Sequence, residues 1–331
     1  MEILTSLTNI PQIMVTWTTY VVAGIVFVGI GLWLNRANFS VREFAAGRFP
    51  FNLRSSRSAR LDVKVYVLGK LTDAVWGAPG TALSALLPVL VALGLAQLVP
   101  AAPSGPASIL TITAIGIALF VAVEFADFVM HYGEHKIPAL WELHKVHHSA
   151  DSLNPLTSKR GHPVSLVLVG LVRAVFFCVP AGLAIHFAGL SLFEIVAARA
   201  LVLKTCSILT LDPLRHSPFP VTFGWLDRLF ISPHMHQIHH SSLRPHWDRN
   251  FGTNLSLFDW LFRTGYKPVR NEPIALGLYG YTPEDAAHFH TLRGTYLTPL
   301  VSASRKILPG HAGSRRSADR AVPAGAGPTS G

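Results

Sequence analysis

Charge is scarce in this 331-residue chain: Asp, Glu, Lys and Arg make up only 14% of it, against 50% hydrophobic residues. With a mean hydropathy of +0.38, that balance argues against an ordinary soluble domain. Cysteine is nearly absent. Cys178 and Cys206 both fall in apolar stretches and read as buried thiols rather than a disulfide. No Cys pair has zinc-ribbon spacing, and no H-E-x-x-H motif occurs. The amino terminus lacks the basic segment of a signal peptide, and its apolar run is too long for one, so it reads as a retained helix. No internal repeat is visible beyond a histidine motif, and no fused haem or flavin module can be recognised.

What the chain does have is long apolar runs. Segments 13–34, 76–99 and 109–128 each approach the ~20 residues that cross a ~30 Å hydrocarbon layer. Two weaker blocks, 164–190 and 192–211, are interrupted by Arg173, His186, Glu194 and Arg199. They are expected to form a hairpin that crosses the membrane or lies partly in its interface. The net charge of +10 is not spread like that of a nucleic-acid binder, and no nucleic-acid partner is expected. Eight Lys and Arg fall within 36–70, read here as a loop, whereas the connection 100–106 has none. Cytoplasmic segments carry this excess. With 36–70 in the cytoplasm, the next two helices go out and back, and the hairpin returns the chain to the same side.

That topology brings three histidine clusters to one face. Histidine occurs 16 times, mostly in HYGEH (131–135), HKVHH (144–148) and HQIHH (236–240). On a helix, residues three and four apart share a face, so each cluster presents paired or tripled imidazoles. Imidazole suits zinc, copper, iron and nickel. One metal cannot use eight histidines, but two ions can, at the spacing typical of dinuclear sites. The expected fold is all-α: a polytopic membrane helical bundle with a cytoplasmic histidine-rich dimetal cap. Its expected parts are membrane helices and a basic loop (1–106), a histidine-box domain (107–270), a cytoplasmic segment (271–308) and a disordered tail (309–331).

The order H-x-x-x-H, H-x-x-H-H and a distant second H-x-x-H-H resembles the fatty acid hydroxylase and sterol desaturase superfamily of integral membrane oxygenases. GHP (161–163), RHSPFP (215–220) and RNFGTNLSLFDWLFRT (249–264) are similar to later family segments. Phe258-Asp259-Trp260 stands where Trp-Asp is usual, and Arg263 where Gly is usual. The resemblance covers about residues 127–264. It implies a non-haem di-iron centre held by His131, His135, His144, His147, His148, His236, His239 and His240, with His216 as a ninth ligand. Zinc can replace iron on purification. His162, Glu134 and Asp127 are candidates for ligation or for orienting the ligands, and Glu124 and Glu142 for orienting them. His234 and His246 are expected in hydrogen-bonding or rim roles, His186 in the core, and His288, His290 and His311 at the surface. Lys159, Arg160 and Arg244 read as solvated charge beside the site.

The activity implied is hydroxylation of a membrane lipid with O2, using electrons from a separate transfer protein. A desaturase of the same superfamily is the alternative, and a divalent-metal transporter or a zinc hydrolase stands further off. A transporter would place its ligands near mid-membrane, not at one face.

Overall fold

The computed structural model describes residues 56–101, 107–269 and 272–307. The first apolar stretch, His311 and the tail lie outside them. Among the described residues the chain is helical, with no strand beyond one antiparallel bridge, Phe230 to Leu255.

Helix α1 runs Arg57–Ala96 and α2 runs Ile109–Lys136. Ser56 and Ser108 cap them, each side-chain oxygen accepting a first-turn N–H (Ala59 and Thr111). Helix α3, Pro138–His148, opens with proline at its first position, where the missing N–H costs nothing. Helix α4, Pro163–Ala188, is capped by the ring of His162 and closed by Gly189 at φ 63°. Helix α5, Leu192–Leu209, begins with a capping box between Ser191 and Glu194. The remaining helices are short: α6 (Pro233–His239), α7 (Leu257–Leu261), α8 (Pro283–Ala287) and the longer α9 (Leu292–Ile307).

Among the described residues three helices, α1, α2 and α4, are long and apolar enough to cross a membrane. Helix α5 is not among them, because Glu194, Arg199 and Lys204 fall within its 18 residues. The span expected at 109–128 continues as helix for two further turns, to Lys136, so the first histidine box stands on an extension of α2. The basic segment read as a loop is corrected in part: 57–70 is the start of α1. No helix breaker interrupts 57–68. Leu61 and Val65 are buried on one side, while Arg57, Arg60 and Lys64 stay exposed.

Leu119 and Val123 of α2, Phe177, Ala181 and Ala184 of α4, and Ile195 of α5 form the main apolar cluster. α1 packs along α4 where two glycines meet: a Cβ at Gly80 would sit 2.6 Å from Gly170 Cα. Small residues let helices approach this closely in a bilayer. A second cluster, Phe128 with Phe251 and Phe258, clamps the segment after α6 onto the end of α2. That clamp brings the last histidine box to the first.

Candidate metal centre

The nine expected ligands fall into two adjoining groups. His131, His135, His144, His148 and His239 form one, and His147, His216, His236 and His240 the other. Within each, one ring nitrogen per residue lies within 4.8 Å of all the others. The two H-x-x-H-H motifs divide in opposite senses. On α3 the first and fifth positions, His144 and His148, serve the first group, while His147, the fourth, serves the second. On α6 the first and fifth positions, His236 and His240, serve the second group, and His239 crosses to the first. An i, i+4 pair shares a helix face, and the fourth position is turned away from it by one residue. A repeated motif on two facing helices therefore builds two centres. His131 and His135 of α2 complete the first, and His216, from the turn after α5, completes the second.

The Nε2 atoms converge. His131 and His144 approach at 3.1 Å, His144 and His148 at 3.1 Å, and His135 and His148 at 3.2 Å. In the second group His216 lies 3.1 Å from His236 and from His240, and 3.2 Å from His147. Several of these rings have their proton committed on the other nitrogen. His131 Nδ1 donates to the Phe251 carbonyl at 2.7 Å, His239 Nδ1 to that of Arg249 at 2.8 Å, and His147 Nδ1 to that of Arg160 at 3.2 Å. His144 Nδ1 meets Glu134 Oε2 at 3.0 Å. His131 and His144 therefore face each other with bare Nε2 lone pairs. Such a pair cannot hydrogen-bond and is repulsive unless a cation lies between them. Two ligands about 2.1 Å from a common ion stand roughly 3.0–3.4 Å apart at octahedral to tetrahedral angles, which matches these separations. Burial first, and neighbouring imidazoles next, hold His147 and His236 well below the ordinary 6.5, mainly through His216, and His240 through His147. Burial and then Arg215 push His216 down to about 3. That depression keeps these four rings in the neutral, ligating form.

Of the remaining expected residues, Glu134 meets an imidazole, that of His144, at Nδ1. Asp127 does not touch an imidazole: both its oxygens are taken by Arg173, at 2.5 and 2.8 Å. Glu124 instead accepts the backbone N–H groups of Asn254 and Leu255 and the Asn254 amide. Glu142 pairs with Lys145 at 2.5 Å. His162 lies outside both groups. Its Nδ1 accepts from the Val164 N–H at the start of α4 and its Nε2 donates to the Tyr296 carbonyl of α9, so both nitrogens are engaged in holding helices. His246 bonds Glu272 at 3.0 Å, and His186 is buried against Phe187. His234 lines a separate cavity. His288 is exposed, but His290 donates to the Ser149 carbonyl just beyond the second box, so it is more than a surface residue. Arg160 is fully buried on Asp62 rather than solvated, whereas Arg244 is exposed and lies over the rings of Trp247 and Tyr279.

Sequence reasoning missed the carbonyls of Arg160, Arg249 and Phe251, because a backbone acceptor has no residue signature. The segment bearing the last two is held by Asp259, which accepts the Phe251 and Gly252 N–H groups at 2.7 and 2.8 Å. Burial pushes that carboxyl up to about 6. Asp248 and Asn250 take left-handed conformations in the same turn, at φ 57° and 58°.

Two cavities of about 280 Å3 reach the imidazoles. One lies between α2 and α4 and extends from His131, His144 and His147 to Asp127 and Arg173. The other opens on the far side, over His135, His148, His239 and His240, between Trp141, Trp247, Tyr279 and Tyr281.

Residues 116–264 match the family model described as fatty acid hydroxylase. Ornithine lipid hydroxylase OlsE of Rhizobium tropici is 27% identical over 171 residues, 48% of this chain and 44% of that protein. Alkylglycerol monooxygenase of Caenorhabditis elegans is 25% identical over 160 residues, 46% of this chain and 28% of that protein. The chain thus matches less than half the length of either relative. No solved structure matches it. With its three boxes folded into one imidazole cluster, segment 116–264 matches a fatty acid hydroxylase domain, and over that segment the chain is similar to lipid-hydroxylating relatives.

Proposed function

We propose that this protein is a membrane-bound, non-haem di-iron oxygenase that hydroxylates a lipid. The observation that carries the reading is the pair of imidazole groups, whose Nε2 atoms converge and in which His131, His147 and His239 have Nδ1 tied back to backbone carbonyls. His131, His135, His144, His148 and His239 would hold one ion, and His147, His216, His236 and His240 the other. Two iron ions, reduced by two electrons from a separate donor protein, supply O2 activation when bound. The balance is one C–H bond, one O2, two electrons and two protons giving one alcohol and one water.

The chain's own residues prepare that chemistry. Glu134 and the three carbonyls fix ring orientation and tautomer, which holds the ligand set rigid. The cavity between α2 and α4 runs beside membrane-length helices, so a lipid can enter it without crossing water. Leu143, Leu166 and Val169 give it apolar wall. The aromatic-lined cavity on the other side is left for the electron donor. The basic head of α1 and the histidine boxes share one end of the bundle, which supports a cytoplasmic site. Both relatives bear lipid-oxygenating names, which supports a lipid substrate here.

The test uses purified protein, an electron-donor system and isotopically labelled O2 with membrane lipid extract. Label in a lipid alcohol, lost in His148→Ala and kept in His288→Ala, is the expected result. A new double bond without label moves the reaction to desaturation. No lipid change, with metal flux in vesicles, makes the protein a transporter.

A further inference from the structure

We propose that Asp62 and Arg160 are positioning residues for the four-imidazole group, and that α1 thereby contributes to a metal site whose ligands all lie elsewhere. The inference rests on the reading of that group as a metal site. His147 is the one member of the group on α3, and its Nδ1 donates to the Arg160 carbonyl at 3.2 Å. That carbonyl belongs to the residue that closes a single short 3-10 helix, Pro155–Lys159, between α3 and α4, too short to fix its own position in the fold. It is held by side chains. Arg160 Nε lies 3.1 Å from Asp62 Oδ1, off the hydrogen-bond line, as a fully buried ion pair. Arg160 Nη1 donates to Ser58 Oγ at 2.9 Å. Asp62 Oδ2 accepts from Asn154 Nδ2 at 2.6 Å and from Thr157 Oγ1 at 2.8 Å, at the two ends of the capping box that shapes this segment.

A fully buried ion pair is a poor source of stability, because desolvation offsets its attraction. Its directional bonds do fix a geometry. Here they fix three points of one segment, Asn154, Thr157 and Arg160, to the first two turns of α1. The chain of contact is Asp62 to Arg160 to His147, whose Nε2 faces His216 at 3.2 Å. Asp62 and Ser58 lie outside the family-matched segment, so no histidine-box pattern points to them.

Cobalt(II) titration of the full-length, metal-free protein in detergent tests the proposal by its visible absorption, read without turnover. The wild-type chain should bind two ions. Asp62→Ala should weaken one of them about tenfold or more, with the same change of absorption band as the reference variant His147→Ala. The other ion should bind as in wild type. Asp62→Ala leaves a buried guanidinium unpaired, so the double variant Asp62→Leu/Arg160→Met keeps the test sharp if the single one fails to fold. It removes both charges at similar volume and should unfold at a temperature near that of wild type, yet show the same selective loss. A folded double variant that binds both ions with wild-type affinity overturns the inference and leaves the metal reading standing. A wild-type chain that binds no cobalt at the imidazoles overturns both.

Discussion

Glu134 offers the sharpest test of how the five-imidazole group is oriented. Its carboxylate is buried and meets His144 Nδ1 at 3.0 Å. That contact fixes the tautomer and the orientation of the ring, so that Nε2 carries the lone pair. Loss of such a partner typically weakens metal binding 10–100-fold, or about 1.4–2.7 kcal/mol. Two substitutions divide that range. Glu134→Gln keeps the length and one oxygen acceptor but removes the charge, so about tenfold is expected. Glu134→Ala leaves the Nδ1–H without an acceptor in a buried site and frees the ring to turn, so about 100-fold is expected. The assay is competition between the protein and a chelator for zinc, with the four-imidazole group as the internal reference. Asp127→Asn is the control, because both oxygens of Asp127 are already taken by Arg173. It should leave zinc affinity unchanged. Wild-type affinity in Glu134→Ala, or equal losses in Asp127→Asn and Glu134→Gln, would refute the reasoning.

Acid should unfold the metal-free protein early. The folded rings of His147, His216, His236 and His240 have pKa values depressed by burial, so below about 6.5 the unfolded chain binds protons that the folded chain refuses. Their neutral forms are fully compatible with folding above 6.5, and stability is lost as pH falls, by about 1.4 kcal/mol per pH unit for each ring. The melting temperature of the apo form should therefore drop steeply from pH 7.5 to 5.5, and a flat profile would contradict the buried, neutral assignment. In the membrane region, Gly80→Val should lower the melting temperature by an amount equivalent to about 1–3 kcal/mol, since its Cβ would strike Gly170 at 2.6 Å. Gly77→Val, which has nothing within 4 Å, should be close to neutral, and equal effects would argue against the α1–α4 contact.

The sequence by itself determined the helical class, three of the apolar spans now seen as α1, α2 and α4, and the eight box histidines that the structure gathers into two groups. Each of these is written locally. A membrane span is a run of apolar residues, and an i, i+4 pair of histidines shares a helix face wherever that helix goes. His216, outside the boxes, was pointed to only by the resemblance of the segment around it to the family. Tertiary structure alone decided the division of ligands, with His147 and His239 each crossing to the group opposite their neighbours, because that depends on how α3 and α6 face each other. It also decided among the acids. Glu134, Asp127, Glu124 and Glu142 look alike in sequence, yet only Glu134 meets an imidazole; Asp127 and Glu142 are spent on cations from α4 and α3, and Glu124 on the backbone after α6. His162 became a helix cap for the same reason. The carbonyls of Arg160, Arg249 and Phe251 had no signature to read, since every residue carries that acceptor and only the fold aims it. A partner that binds across the molecule is chosen by distance, and distance is what a linear pattern leaves open.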